Sequence, residues 1–238
     1  MRTSALGDSA LRLEIGEVPD AATHERVQAA CAALEVAALP GVVELVPAYT
    51  TVTLHYDPVA VAAAGAPDHE VAAWLARRVE EVAARAGQGS VPAGREVVVP
   101  VCYGGDFGPD LARVAAHAGL SEEEVVRRHA RAEYRVALVG FSPGFPYLLG
   151  LPPELATPRH ARPRTEVPAG SVAIAGVQTG IYPLASPGGW NLIGRTSFRL
   201  FDPHATPPAA LQVGDRVRFR PVDRVEFLRG AGAAPLAP

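Results

Sequence analysis

Polar, aromatic and arginine side chains that could do chemistry are concentrated between Leu138 and Thr196. Glycine and proline recur every few residues in this stretch, between short apolar runs, and they set a backbone in specified turns. Ordered loops on a strand scaffold are where binding and catalytic residues usually lie. The stretch therefore indicates a functional site. The alternative is a turn-rich barrel whose glycines serve only the turns.

Three kinds of group in this stretch could bind a small molecule. Arg159, Arg162 and Arg164 form a cationic cluster, and guanidinium groups bind carboxylate or phosphate through paired hydrogen bonds. A solvated surface cluster is the alternative. Amide and hydroxyl groups could orient a ligand, while the aromatic rings could either floor a pocket or pack in the core. The further candidates are Phe141, Phe145, Tyr147, Gln178, Thr179, Tyr182, Trp190, Asn191 and Arg195.

Two familiar types of catalytic site are not supported. Residues 140–144 match the G-x-S-x-G nucleophile elbow and follow a predicted strand. However, Pro143 follows Ser142 and has no backbone N–H for an oxyanion hole, and the prolines there forbid the helix that must follow. The seven histidines are scattered without the spacing of metal ligands, so we predict no metal site. Among them only His129 is a site candidate, and an exposed residue on a helix surface is the alternative.

Composition excludes several further functions. All 22 basic residues are arginine, which removes a Walker-A lysine, a Schiff-base lysine and a lysine carrying biotin or lipoyl. The formal charge of −3 gives no argument for nucleic acid or an anionic membrane. The sequence has neither an apolar run long enough for a membrane span nor the apolar core of a signal peptide, so we predict a cytoplasmic protein. Cys31 and Cys102 are predicted to be buried, reduced thiols.

The first part of the chain predicts a small two-layer domain, with helices on one face of an antiparallel sheet. The second helix is expected to start after Pro67 with Asp68 as its N-cap. The predicted order is ββαββα, with strands at residues 2–6, 10–15, 42–48 and 51–56 and a first helix at 20–38. Residues 87–94 have the composition of a linker, so we place the domains at 1–88 and 89–238.

The second domain is predicted to be rich in short strands, as in a closed barrel or a sandwich. Ser121 and Glu124 form a capping box at the start of its second helix. Residues 230–238 are predicted to be a disordered tail. The predicted strands cover residues 96–102, 134–141, 171–175, 178–182, 191–193, 197–201 and 216–220, and the helices cover 109–118 and 121–132.

Long ordered motifs give the chain a family resemblance. GFSPGFPYLLGLP, VPAGSVAIAG, QTGIYP and SPGGWNLIGRT resemble the family of the 5-oxoprolinase B-type subunit, also described as allophanate hydrolase subunit 1, carboxyltransferase subdomain C/D or Kip-type kinase inhibitor. The opening GDSALRLEIG and the segment VPVCYGGDFGPDL extend the resemblance over nearly the whole chain. It implies an α+β fold, in which the two-layer domain precedes a cyclophilin-like β-barrel. The family's signature falls on His129, Phe141, Pro143, Gly144, Phe145, Tyr147, Arg159, Arg164, Gln178, Thr179, Tyr182, Trp190, Asn191 and Arg195.

The resemblance also implies a function. A protein of this kind pairs with a related C-type subunit and acts with an A-type subunit to open 5-oxoproline to glutamate. The assembled enzyme uses ATP, and we expect this chain to be inactive alone. Two alternatives are inhibition of a sensor histidine kinase and carboxyl transfer of the allophanate hydrolase or urea carboxylase type, with biotin on another chain.

A role for the polar candidates follows from their chemistry. We expect Arg159, Arg164 and Arg195 to hold an anionic group, either phosphate or the carboxylate of oxoproline. The amides of Gln178 and Asn191, together with the hydroxyl of Thr179, are expected to orient an amide.

Overall fold

The computed structural model describes residues 1–86 and 94–232. The chain divides into two compact units, Met1–Ala93 and Gly94–Pro238. The predicted domain boundary after residue 88 and nearly all of the predicted linker lie outside the described residues, so that boundary stays a prediction. In the described part of the chain, no helix is long and apolar enough to cross a membrane.

The first unit is a four-stranded antiparallel sheet, in the order β1-β2-β4-β3, with its helices packed against it. Its elements are β1 (Arg2–Ala5), β2 (Ala10–Glu14), α1 (Ala21–Ala37), β3 (Val42–Pro47), β4 (Thr51–Tyr56), α2 (Pro58–Ala63) and α3 (Val71–Arg85). Leu11 and Leu13 of β2 lie opposite Leu54 and Val52 of β4. Because side chains alternate along a strand, these four form one apolar face, which the helices bury.

Two features of this unit differ from the prediction. Helix α2 was not predicted; Asp57 caps it by accepting hydrogen bonds from the amides of its second and third residues, and Pro58 occupies the first position. Helix α3 begins at Val71, so Asp68 as its N-cap was wrong. The amide of Glu70 donates to the carbonyl of Pro67, and this turn delays the start of the helix.

The second unit is a closed barrel of seven strands, in the order β10-β7-β6-β13-β5-β12-β9. Neighbouring strands are antiparallel except β5 and β13. The α+β fold, with a two-layer domain before a cyclophilin-like β-barrel, is confirmed. The elements are β5 (Glu96–Tyr103), α4 (Leu111–Ala118), α5 (Glu122–Arg131), β6 (Tyr134–Val139), β7 (Pro146–Leu149), β8 (Arg164–Val167), β9 (Ser171–Ala175), β10 (Gln178–Ile181), β11 (Ser186–Gly188), β12 (Asn191–Arg195), β13 (Arg216–Pro221) and α6 (Arg224–Gly232).

Apolar side chains fill the interior of the barrel. Every second residue along its strands points inward, and the helices α4 and α5 add Val114 and Val125 to the same core. The strands β8 and β11 lie outside the barrel and pair as a separate two-stranded ribbon. The inward residues are Val99, Val101, Val136, Leu148, Val172, Ile174, Ile181, Ile193, Val217 and Phe219. The outer face and the ends of the barrel are therefore left to present a site.

Two predictions for this unit were wrong, and two are confirmed. Residues 197–201 form no strand; Phe201 makes one isolated bridge, to Ala209. Residues 230–232 end helix α6 rather than belonging to a disordered tail, and 233–238 lie outside the described residues. Ser121 caps α5, because its hydroxyl accepts a hydrogen bond from the amide of Glu124. Cys102 of this unit is buried and unpaired as predicted, and so is Cys31 of the first unit.

Candidate functional site

Small residues leave space for aromatic rings on the outer face of the barrel. Tyr147 of β7 lies opposite Gly180 of β10, and Phe145 immediately precedes β7. A Cβ atom on Gly180 would lie only 3.0 Å from the Phe145 ring. Ala173 and Ala175 of β9 belong to the same packed group. The strands thus carry glycine and alanine, rather than large side chains, at the positions that a layer of aromatic rings covers.

Four rings make up this layer, which we call the aromatic cluster: Phe145, Tyr147, Tyr182 and Trp190. The centroid of Phe145 lies 5.2 Å from that of Tyr182 and 5.5 Å from that of Trp190, both edge to face. Tyr147 lies 5.8 Å from Trp190. Burial raises the pKa of Tyr182, although a hydrogen bond from the Trp190 backbone partly offsets the rise. In this apolar wall Phe145, Tyr182 and Trp190 are at most 5% exposed and pack as a core, so a ligand can meet only the partly exposed Tyr147 and the polar groups at the margin.

Arg159 places a cation on this wall. Its guanidinium carbon lies 5.6 Å from the centre of the Trp190 ring, within the range of cation–π attraction. Its side chain is exposed, and no carboxylate among the described residues pairs with it. Burial raises the pKa of Tyr147, and the charge of Arg159 partly offsets that effect. Arg159 is therefore available to bind a carboxylate or a phosphate.

The backbone on either side of Arg159 is held by hydrogen bonds. The carbonyl of Pro158 accepts one from the Nδ2 atom of Asn191 at 3.0 Å. The amide of His160 donates one to the carbonyl of Gly189 at 2.8 Å. These bonds fasten the residues before and after Arg159 to the segment that carries Trp190. The backbone that carries Arg159 is thus fixed, and its exposed side chain extends from it.

The buried carboxylate of Asp110 also holds this loop, which comprises residues 157–164. The Oδ1 atom of Asp110 accepts a hydrogen bond from Arg164 at 2.7 Å, and its Oδ2 atom accepts one from the amide of Leu192 at 2.7 Å. The Nε2 atom of His160 lies 3.3 Å from Oδ1. Burial by itself would raise the pKa of Asp110, but these hydrogen bonds and nearby positive charges outweigh it and lower the pKa. Asp110 is therefore ionised, and its carboxylate fastens the loop to α4 and β12, so we call it the clasp of the loop.

Asn191 has its polar groups occupied by the protein. The side chain is fully buried. Its Oδ1 atom accepts from the Nε atom of Arg113 at 2.9 Å, and Nδ2 donates to the carbonyls of Pro158 and Ile174, each at 3.0 Å. Through these contacts Asn191 connects the loop at residues 157–164 to the barrel. Both of its amide hydrogens are used by the protein, so none remains for a ligand.

His129 lies in the barrel core, so its interpretation as an exposed helix residue was wrong. The hydroxyl of Thr179 donates to the carbonyl of Ala173 at 3.0 Å and lies 3.0 Å from His129 Nε2. Nε2 therefore carries the proton, and Nδ1 accepts from the hydroxyl of Tyr103 at 2.8 Å. Burial lowers the pKa of His129 to about 3. His129 and Thr179 thus form a neutral chain inside the barrel, away from any ligand on its surface.

Arg195 does not lie with the other two candidate arginines, Arg159 and Arg164, whose charges both act on Tyr182. Asn191 and Arg195 are the first and last residues of β12, so about 13 Å of strand separates them. The Nε atom of Arg195 donates to the carbonyl of Ala169 at 2.8 Å, and burial lowers the pKa of Arg195. Gln178 lies two residues before Gly180 on β10, and therefore on the outer face with the aromatic cluster.

A tight turn between β6 and β7 carries the rejected serine. The amide of Gly140 donates to the carbonyl of Phe145 at 3.1 Å, and the amide of Phe145 donates to the carbonyl of Ser142 at 3.0 Å. The turn leads directly into a strand, whereas a nucleophile elbow leads into a helix. Phe141 in this turn adopts a φ of 70° and is 67% exposed.

Sequence reasoning missed Asp110 and Arg113. An aspartate directly before a helix resembles an ordinary N-cap, but Asp110 makes no side-chain cap hydrogen bond. The arginines at residues 159–164 were the available signal, because a group of like charges in one loop calls for a carboxylate nearby, and Asp110 is that carboxylate. Within residues 1–86 and 94–232, no group of three His, Cys, Asp or Glu side chains could hold a metal ion.

The fold and the site define a class of protein: a two-unit α+β protein whose barrel presents a cation on an aromatic wall. The chain matches the family described as "Carboxyltransferase domain, subdomain C and D" over residues 1–211. It belongs to that family.

Relatives and solved structures agree with this assignment. The chain is 43% identical over 227 residues to the 5-oxoprolinase B-type subunit of Bacillus subtilis, covering 93% of both chains. It is 45% identical over 221 residues to the 5-oxoprolinase B-type subunit of Escherichia coli, covering 92% of this chain and 95% of that one. The solved structure of the protein TTHA0988 is 39% identical with a TM-score of 0.74, and it covers 96% of this chain. This chain spans only 41% of TTHA0988.

Proposed function

We propose that this chain is a subunit of an ATP-dependent 5-oxoprolinase. The observation that carries the proposal is the identity of 43% and 45%, over nearly full length, to relatives named as the B-type subunit of 5-oxoprolinase. In the reaction, water adds across the lactam C–N bond of 5-oxoproline to give the amine and the second carboxylate of glutamate, and ATP hydrolysis drives it. The enzyme works in the cytoplasm with A-type and C-type partner subunits.

The part of this chain is to bind and orient the substrate. 5-Oxoproline is a small flat ring with one carboxylate. Arg159 binds that carboxylate, and the ring lies against the margin of the aromatic cluster at Tyr147. The described residues contain no activated nucleophile, and phosphoryl chemistry depends chiefly on positioning and charge neutralisation, which a site shared between subunits supplies. ATP is bound by the assembled enzyme.

The test is 5-oxoproline-dependent ATP hydrolysis by the complete mixture of subunits, with the substitution Arg159→Ala. A charge-assisted hydrogen bond contributes about 1.5–3 kcal/mol, so KM for 5-oxoproline rises about tenfold or more. Arg162→Ala is the matched control, because Arg162 is an exposed arginine of the same loop that does not lie over Trp190. Equal effects of the two substitutions would exclude Arg159 as the specific ligand of the carboxylate.

Carboxyl transfer is the second candidate, because the family is described as a carboxyltransferase domain. A carrier of biotin would then be another chain, since this one has no lysine. Failure of the complete mixture to hydrolyse ATP with 5-oxoproline, with every subunit folded, would favour carboxyl transfer or inhibition of a histidine kinase.

A further inference from the structure

The turn at residues 140–145, which we call the Phe141 turn, exposes a large apolar side chain in an unfavourable backbone conformation. Phe141 has a φ of 70° and is 67% exposed. Residues with a Cβ atom rarely adopt this left-handed region, whereas glycine does so freely. Gly144 of the same turn takes a φ of 79°. The fold of the turn alone would be better served by glycine at position 141.

Contacts within the chain do not account for the phenyl group. Its ring meets Phe145 edge to face, with centroids 5.6 Å apart, while most of its surface stays in solvent. Two backbone hydrogen bonds, between Gly140 and Phe145 and between Phe145 and Ser142, hold the turn without using the side chain. Strained, over-determined residues cluster at binding sites. The exposed ring therefore indicates a contact outside this chain.

Ring contacts connect Phe141 to the candidate site. Phe141 contacts Phe145, and Phe145 contacts Trp190 beneath Arg159. Leu184 is 44% exposed and lies two residues after Tyr182. The ring of Tyr182 contacts Phe145. Phe145 and Trp190 are buried, so these ring contacts place Phe141 near the cation that we assign to the substrate.

We propose that the Phe141 turn and Leu184 form the surface on which a companion subunit of the same enzyme docks and closes the site at Arg159. The identity of this partner rests on the proposed function. Its surface has an apolar pocket for the phenyl ring, and it leaves Arg159 to hold the carboxylate of the substrate. Buried aromatic anchors of this kind carry much of the binding energy of an interface.

Charge and chain length favour a different protein over a second copy of this chain. Arg159 and Arg162 at the flank have no carboxylate partner among residues 1–86 and 94–232. In a two-fold symmetric contact the same patch meets itself, so these cations would be brought towards their own copies. In addition, TTHA0988 carries the equivalent of this chain within a polypeptide of which it forms 41%. That arrangement joins the same unit covalently to other protein.

The substitution Phe141→Gly tests the proposal, because it removes the ring and leaves a residue suited to the backbone. Association of the purified chain with its companion subunits is measured by titration calorimetry and analytical ultracentrifugation. We expect the dissociation constant to rise tenfold or more, and Leu184→Ala to raise it several-fold. Val177→Ala is the matched control, because Val177 is equally exposed at 67% in the β9–β10 turn and outside this patch. The thermal midpoint of each variant reports that it is folded.

Each outcome decides the question. Unchanged association of Phe141→Gly, or an equal loss with Val177→Ala, would overturn the docking surface. A wild-type chain that forms a dimer by itself, and that Phe141→Gly converts to a monomer, would overturn the choice of partner in favour of a second copy. Turnover of 5-oxoproline is measured separately. Association that depends on Phe141, without turnover, supports the docking surface and counts against the proposed reaction alone.

Discussion

His129 is kept neutral by the groups that surround it. Tyr103 and Thr179 bond its two ring nitrogens, Phe219 stacks on it with centroids 4.6 Å apart, and the hydroxyl of Tyr134 donates to its carbonyl. None of these groups is charged, so burial alone lowers its pKa to about 3. A protonated ring would lose the acceptor that binds Tyr103. His129 therefore acts as a structural link between α5 and the barrel.

A pH dependence of stability follows from this pKa. The unfolded chain binds a proton at His129 below a pKa of about 6.5, whereas the folded chain does so only near 3, so stability falls as the pH falls. Between pH 7.5 and pH 4.5, His129 should lower the free energy of unfolding by about 2 to 3 kcal/mol. Urea denaturation of the wild type and of His129→Gln measures the difference.

The glutamine variant isolates this one group. It keeps a donor and an acceptor but does not titrate, so the other ionisable groups contribute equally to both proteins. We expect it to be less stable than the wild type at pH 7.5 and to approach the wild type at pH 4.5. Parallel stability curves over this range would show that His129 is not the buried neutral group described here.

At the scale of elements, the loop at residues 157–164 depends on Asp110 at the start of α4. Asp110→Asn keeps the size of the side chain and can still accept the Leu192 amide, but it removes the charge that holds Arg164. Loss of such a hydrogen bond destabilises the protein by about 1–3 kcal/mol. Because the loop carries Arg159, we expect KM for 5-oxoproline to rise severalfold in the complete enzyme while kcat changes less.

Asp106→Asn provides the control for this substitution. Asp106 lies in the same connection between β5 and α4, but its side chain is 81% exposed and pairs with Arg224 at 3.1 Å on the surface. Exposed pairs contribute little, so this variant should retain the wild-type stability and KM. A loss of stability in Asp110→Asn with an unchanged KM would show that the clasp serves the fold and not the site.

The elements that sequence predicted are those with a regular apolar period. The strand at residues 171–175 and the helix capped by Ser121 were found because alternation and capping are local signals. The strands β7, β8 and β11 were missed because they are three or four residues long and rich in proline, arginine or glycine. Pairing partners distant in sequence define such strands.

The same limit applies to the site. The aromatic residues and Arg159 could be predicted from their density in one stretch. The separation of Arg195 from Arg159 could not, because both lie in the same Gly- and Pro-rich region and only strand direction places them apart. Asn191 and Thr179 were predicted as ligands for an amide by residue type. Their hydrogen bonds to backbone carbonyls become visible only when the barrel is closed.

At the scale of the whole molecule, the chain presents an exposed cation at Arg159 but no lysine for phosphate binding. Loops that bind the phosphates of ATP typically combine a glycine-rich backbone with a lysine. The site at Arg159 offers one exposed guanidinium on an apolar wall, which suits the single carboxylate of a small substrate better than a triphosphate. Under the proposed function, we therefore propose that the companion subunits bind the nucleotide.

This assignment predicts that the isolated chain does not bind ATP measurably. Equilibrium dialysis with labelled Mg-ATP at up to about 1 mM should show no binding to this chain. The dissociation constant is then above about 1 mM, which corresponds to a binding free energy of less than about 4 kcal/mol. The complete mixture should bind it under the same conditions. If the chain alone binds ATP and Arg159→Ala abolishes that binding while Arg162→Ala does not, then Arg159 holds a phosphate rather than the substrate's carboxylate. Binding unaffected by either substitution would place a nucleotide site elsewhere on the chain and contradict the division between subunits.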